Sequence, residues 1–268
     1  MANNFHLHAA DGTQLTGYEW RPDGEPSCNA LIIHGQGEHL GRYDYLGEVL
    51  AESGVRCIGV DLRGHGMSKG SRGHVKKWSD YVQDVSAAAE MLPETFPVIG
   101  HSMGGLIALS FLAAQPQRVR NLVLSGPLLG VAVAAPAWKT AMAGVMSKVL
   151  PGLHLASGIP LNDLCSDPEA VAVYEKDGLR VKTITPRWFT EMQAEIGRIW
   201  QQLPNFTTHL SLHVAELESI VDAKEMERLY EAWPAAKRRW YWQGGKHEIL
   251  QEPFRQAVVA AMLEDIRG

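Results

Sequence analysis

Apolar and polar positions along this chain switch between two periods. Short runs such as "ALIIHG" (30–35), "VRCIGVD" (55–61), "FPVIGH" (96–101) and "VRNLVLSG" (119–126) are apolar almost throughout, as strands buried on both faces are. Between them apolar residues recur three and four apart. "YDYLGEVLAESG" (43–54) reads as a helix stopped by Gly54, and two more helices are expected at about 77–92 and 103–115. The first strands differ: "FHLHAADGTQLTGYEW" alternates and turns at Asp11-Gly12, a hairpin. Strand, helix, strand at this spacing implies parallel strands joined by right-handed crossovers and covered by helices on both faces. The expected fold class is α/β.

The alternation breaks between 128 and 205, where Ala, Met, Leu and Trp fall at helical spacing, punctuated by prolines, and no strand is expected. It resumes with "HLSLHV", a helix near 223–233, the strand "RRWYWQGG" and a last helix near 252–266. The expected organisation is one core built from 1–127 and 206–268, with 128–205 as a helical insertion. An uncharged stretch, "NLVLSGPLLGVAVAAPAW" (121–138), has the length of a membrane span, but Gly126, Pro127, Gly130 and Pro136 would break the helix. No transmembrane helix is expected. A net charge of -5 and a single short basic run, Lys237 to Arg239, argue against a nucleic-acid partner. Cys28, Cys57 and Cys165 lack the even count of a disulfide framework and suggest small buried hydrophobes in a reducing compartment. With no signal-peptide pattern in "MANNFHLHAADG", a cytoplasmic location is expected.

The candidate chemistry begins at Gly100-His101-Ser102-Met103-Gly104, a G-x-S-x-G directly after an expected strand and before an expected helix. A sharp turn there would expose the Ser102 hydroxyl as a nucleophile. A serine needs a base, and His247, after a strand ending in two glycines and before the last helix, stands where a loop can swing over it. The acid that orients the histidine should follow the preceding strand. Glu216, Glu218 and Asp222 all lie there, and periodicity does not choose among them. After "ALIIHG" the glycine-rich turn of His34 to His39 can aim backbone N–H groups at an oxyanion, together with the N–H of Met103. That turn is not a dinucleotide fingerprint, because Leu40 occupies the third glycine position, so no cofactor is expected. Nor is a metal: His209 and His213 would share a strand face roughly 13 Å apart, at about 3.3 Å per residue.

The blocks "HGQGEHLGRYDYL", "DLRGHGMSKG", "GHSMGGLIAL", "LCSDPEAVAVYEKD" and "GGKHEIL" together resemble the monoacylglycerol lipase and lysophospholipase branch of the α/β-hydrolases, over nearly the whole chain. The resemblance implies an α/β-hydrolase fold whose insertion is a cap enclosing an acyl chain. It also implies an oxyanion hole from the backbone of Gln36 with Met103. It aligns Glu218 with an aspartate of the family, a departure in residue type, and Asp222 with a second one, leaving Asp222 as the alternative acid. Asp61, His65 and Ser68 match the second block and read as loop braces. Within the apolar stretch "PAWKTAMAGVMSKVLPGLHLASGIPL", Met146 and Leu153 are the candidate acyl-chain contacts. The expected activity is hydrolysis of the acyl ester of monoacylglycerols through an acyl-enzyme. A lysophospholipase, a short- or medium-chain carboxylesterase and a non-catalytic ligand-binding protein on the same fold stand as alternatives. The substrate would be a small lipid ester; no obligate protein partner is implied, and a transient contact of the cap with a membrane surface is left open.

Overall fold

A computed structural model describes residues 2–132 and 137–268, with side chains at 137–141 excepted. In chain order the elements are β1 (Asn3–His8), β2 (Gln14–Trp20), β3 (Cys28–Ile33), α1 (Asp44–Glu52), β4 (Val55–Val60), α2 (Trp78–Ala89), β5 (Phe96–His101), α3 (Met103–Ala114) and β6 (Val119–Ser125). After these come α4 (Ala137–Val149), β7 (Leu155–Ala156), α5 (Pro168–Lys176), β8 (Thr183–Ile184), α6 (Pro186–Gln202), β9 (His209–Ala215), α7 (Ala223–Ala232), β10 (Lys237–Trp242) and α8 (Arg255–Arg267). Eight strands form one sheet in the order β1-β2-β4-β3-β5-β6-β9-β10. From β4 to β10 every pairing is parallel; the hairpin β1-β2 joins antiparallel at one edge.

The near-continuous apolar runs are explained by burial on both faces. Leu31 and Ile33 of β3 point into a core with Trp78 and Tyr81 of α2 and Leu106 and Leu109 of α3. Their neighbours Ala30 and Ile32 point the other way, into a second core with Leu46 and Leu50 of α1 and Val258 and Met262 of α8. Strand period and helix period therefore agree on one α/β architecture.

Between β6 and β9, which are neighbours in the sheet, the chain makes an excursion that carries α4, α5 and α6. Its longest helix, α6, starts at Pro186 with Thr185 as N-cap, the hydroxyl accepting from the Trp188 amide. It turns Trp188, Met192, Glu195 and Ile199 inward at helical spacing. Glu195 is held by the Ser110 hydroxyl of α3 at 2.5 Å, which fastens the excursion to the core. The expectation of no strand here needs correction. β7 and β8 pair as a short antiparallel ribbon, and Val131 bridges to Val221. Pieces of two residues carry no readable alternation. Among the described residues, no helix is long and apolar enough to cross a membrane.

Candidate active site

Ser102 stands between β5 and α3 with φ 53 and ψ -118, the one non-glycine residue at positive φ among the described residues. Such a conformation costs of order 1–3 kcal/mol and persists only where its surroundings dictate it. Here the Ser102 N–H donates to Ser125 O at 2.9 Å and its carbonyl accepts from Leu128 N at 2.9 Å. The flanking glycines make the turn sterically feasible. A Cβ at Gly100 would lie 2.6 Å from the Gly104 carbonyl, and one at Gly104 only 2.2 Å from the Ile33 carbonyl. Met103 is the first residue of α3, so its N–H has no partner within the helix and is free to serve an oxyanion.

The three acids after β9 have different partners. Glu216 Oε2 accepts from Gly244 N at 2.7 Å, and Leu217 N donates to Gly245 O at 2.8 Å, so this turn is tied to the loop that carries His247. Asp222 is the N-cap of α7, accepting from Lys224 N at 2.9 Å. Glu218 is the acid that meets the histidine: Oε2 lies 2.7 Å from His247 Nδ1, while Oε1 accepts from the amides of Ile220 and Val221 at 2.8 and 3.1 Å. Gly126, at φ 50, passes beside the pair, where a Cβ would come within 3.3 Å of both the carboxylate and the ring. Burial by itself would raise the Glu218 pKa, but the charge and hydrogen bond of His247 and the two amides outweigh it and hold it below its ordinary value. Burial likewise opposes the imidazolium of His247, yet Glu218 prevails and raises its pKa above 6.5. Nδ1 is thus committed to Glu218, and Nε2 is left for the substrate side.

Around the glycine-rich turn, Glu38 Oε1 accepts from Gly35 N at 2.6 Å and from the Tyr43 hydroxyl at 2.7 Å. The excursion braces the turn from outside: Val181 N donates to Gly37 O at 2.9 Å, and His39 Nε2 lies 2.8 Å from Asp177 Oδ2. Asp61 accepts from the amides of Leu40 and Met67, each at 2.8 Å, and Thr16 N donates to Ser68 Oγ, so both residues tie loops together. His65 reaches the site, with Nε2 3.2 Å from Gln36 Oε1, and burial holds it neutral with a pKa of about 3. Sequence reasoning left out Glu38, Arg42, Tyr174 and Glu248, which gather beside His247. The signal available was the pair Glu38 and Arg42, four residues apart next to the glycines.

Two cavities meet at Ser102 and Gln36. The larger, about 490 Å³, is walled mostly by apolar side chains including Leu128, Ile159, Ile184, Trp188, Phe189 and Met192. The smaller, about 20 Å³, has a mixed lining in which Ile159, Leu164 and Ile220 stand beside His247, Glu38, Tyr174 and Glu248. Met146 and Leu153, the expected acyl contacts, are not among the residues lining these two cavities; Leu153 is 41% exposed. The three cysteines are free and buried. Among the described residues, no group of His, Cys, Asp or Glu could hold a metal.

A sheet of this order with a strained serine after its fifth strand and an acid–histidine pair at its carboxyl edge defines a serine hydrolase of the α/β-hydrolase class. The chain belongs to the hydrolase family described as serine aminopeptidase S33, which matches residues 24–254. It is 30% identical over 255 residues to a human monoglyceride lipase, covering 92% of this chain and 84% of that one. To a phospholipase of Bacillus subtilis it is 28% identical over 251 residues, covering 91% and 96%. The crystal structure of a Paleococcus ferrophilus monoacylglycerol lipase superposes with a TM-score of 0.86 at 27% identity, covering 94% of this chain and 99% of the other.

Proposed function

We propose that this protein hydrolyses the acyl ester of monoacylglycerols, with Ser102 as nucleophile, His247 as base and Glu218 as the acid that orients it. The observation that carries the reading is the apolar cavity of about 490 Å³ that ends on Ser102, a size and polarity suited to a flexible acyl chain. The relatives named for monoacylglycerol cleavage support the same head group.

His247 Nε2 takes the Ser102 proton as the hydroxyl attacks the ester carbonyl. The amides of Gln36 and Met103 receive the oxyanion; the Gln36 amide has no hydrogen-bond partner among the described residues. The imidazolium, stabilised by Glu218 at 2.7 Å, gives its proton to the leaving glycerol oxygen. Water, deprotonated by the same histidine, then attacks the acyl-enzyme, and the tetrahedral intermediate collapses to fatty acid and free Ser102.

Residues 128–205 act as the cap, with 1–127 and 206–268 as the hydrolase core. Met142, Val145 and Val149 of α4 lie 52, 62 and 67% exposed on one helix face, a surface suited to brief contact with a membrane from which a lipid ester is drawn. Three unpaired cysteines fit a cytoplasmic location. The test is labelling by a fluorophosphonate probe together with turnover of p-nitrophenyl esters of rising chain length. We expect labelling that depends on Ser102 and turnover that persists for long chains. An unlabelled, inactive protein would instead be a binding protein on this fold, and activity confined to acetyl and butyryl esters would make it a short-chain esterase.

A further inference from the structure

The two halves of an ester leave Ser102 in different directions. The imidazole that protonates the leaving oxygen must face it, so the alcohol lies on the side of His247. His247 lines the small cavity, which carries the carboxylates, and not the larger apolar one. The charge on that side is therefore what the alcohol meets. Glu38 and Glu248 both line the cavity, and both converge on Arg42, which stands behind them: Nε lies 3.4 Å from Glu38 Oε2, and Nη2 contacts Glu248 Oε2. The guanidinium is also stacked over the Tyr174 ring, 4.0 Å from its centroid, and is 10% exposed. One cation is thus shared by two carboxylates. Burial, and then the charge of Glu38, hold the Glu248 pKa above its ordinary value against the pull of Arg42. Glu218, the remaining acid nearby, is committed to His247. On the acyl side the one charged residue lining the cavity, among the described residues, is Asp163, again an acid. No lysine or arginine lines either cavity among the described residues.

We propose that Glu248 is a specificity-determining residue: by occupying Arg42 and adding a second carboxylate beside the leaving group, it restricts the site to neutral alcohols and rejects lysolipids whose alcohol carries a phosphate. A phosphate binding here would need a cation facing the cavity, whereas Arg42 and Arg180, both stacked on the Tyr174 ring at 4.0 and 4.6 Å, do not line it, and Arg42 is held between Glu38 and Glu248. The proposal rests on the monoacylglycerol reading above and goes on to separate it from the lysophospholipase alternative.

The experiment uses one acyl chain on three alcohols: glycerol, glycerol 3-phosphate and p-nitrophenol. For the wild-type protein we expect kcat/KM for the glycerol ester to exceed that for the phosphate-bearing ester by about 100-fold. That is the scale of one unit charge about 6 Å away at an effective dielectric of about 20. In Glu248→Gln the ratio should narrow by about tenfold or more, since Arg42 then faces one carboxylate and can turn to the phosphate. The ratio is the readout, so a general loss of activity in the variant cancels. A wild-type ratio within about threefold of unity overturns the proposal without any variant, as does an unchanged ratio in a folded Glu248→Gln protein. Turnover of the p-nitrophenyl and glycerol esters alongside either result leaves the monoacylglycerol reading standing. Failure to cleave any of the three esters brings both down.

Discussion

Replacing Glu218 with glutamine tests the acid more sharply than deleting it, because the loop geometry dictates what the amide can do. Glu218 Oε1 accepts from the amides of Ile220 and Val221, so the glutamine carbonyl must keep that position to leave neither donor unpaired. Its NH2 group then faces His247 Nδ1, where the carboxylate had accepted a hydrogen bond from Nδ1–H. The imidazole is forced into the tautomer with its hydrogen on Nε2, and that nitrogen can no longer take a proton from Ser102. The lost charge adds to this: unit charges about 4 Å apart at an effective dielectric of about 20 attract by about 4 kcal/mol, or about three decades in rate. We expect kcat on p-nitrophenyl butyrate to fall roughly 1000-fold or more, in line with the loss when a triad carboxylate becomes an amide. Thermal unfolding should stay near wild type, since shape and backbone bonds are kept. Glu216→Gln and Asp222→Asn serve as controls. The first acid only holds the Gly244 amide and the second only caps α7, so each should retain most activity, with a cost to stability of about 1 kcal/mol or less at the cap. If Glu218→Gln stays near wild type while Asp222→Asn collapses, the assignment is wrong and Asp222 is the acid.

Other consequences are as direct. Because only neutral His247 accepts the serine proton and Glu218 raises its pKa, kcat/KM should rise with pH through an inflection above 6.5; a flat profile from about pH 5 to 8 would exclude a histidine base. Ser102→Ala should retain under about 1% of activity and remain folded. Ser102→Gly should be equally inactive yet gain about 1 kcal/mol, seen as a rise in Tm, because glycine adopts φ 53 without a Cβ penalty; an unchanged or lower Tm would mean that the turn is not strained. Ile184→Phe, narrowing the apolar cavity, should shift preference toward shorter acyl esters, whereas Met146→Phe should leave the chain-length profile unchanged; equal losses at all lengths for Ile184→Phe would indicate general damage instead.

What was legible in the sequence follows from the range over which each signal acts. Strand and helix periods are local, and burial on both sheet faces made runs such as "FPVIGH" nearly uniform, so the core elements could be placed to within a few residues. The strand–turn–helix setting of Ser102 is equally local. The three acids after β9 were not separable that way, because what distinguishes them are partners in other loops: the Gly244 amide for Glu216, His247 for Glu218 and the start of α7 for Asp222. Composition is a weaker guide between β6 and β9. Residues 142–153 are apolar enough to line a cavity, yet Val145 and Val149 face outward, and the apolar cavity at Ser102 is walled instead by residues that include Ile184 of β8 and Trp188, Phe189 and Met192 of α6.

Glu248 shows the same limit from the other side. It sits one position after His247, where a charged residue reads as an ordinary solvated loop position, and nothing in its neighbourhood distinguishes it. Its meaning depends on Arg42, 206 residues earlier, being turned inward by Glu38 and covered by Tyr174 of α5. Burying one guanidinium among two carboxylates carries a desolvation cost that packing apolar groups there would avoid, so the cluster contributes little as a stabilising device. Placed against the leaving-group side of His247, the same charges act on whatever alcohol departs. Catalytic machinery of this kind is indifferent to head group, so discrimination between a glycerol and a phosphate must come from residues that touch the alcohol without taking part in acyl transfer. Glu38 and Glu248 line the cavity beside His247, which is why we propose that the sign of their charge decides which lipid esters the serine can open.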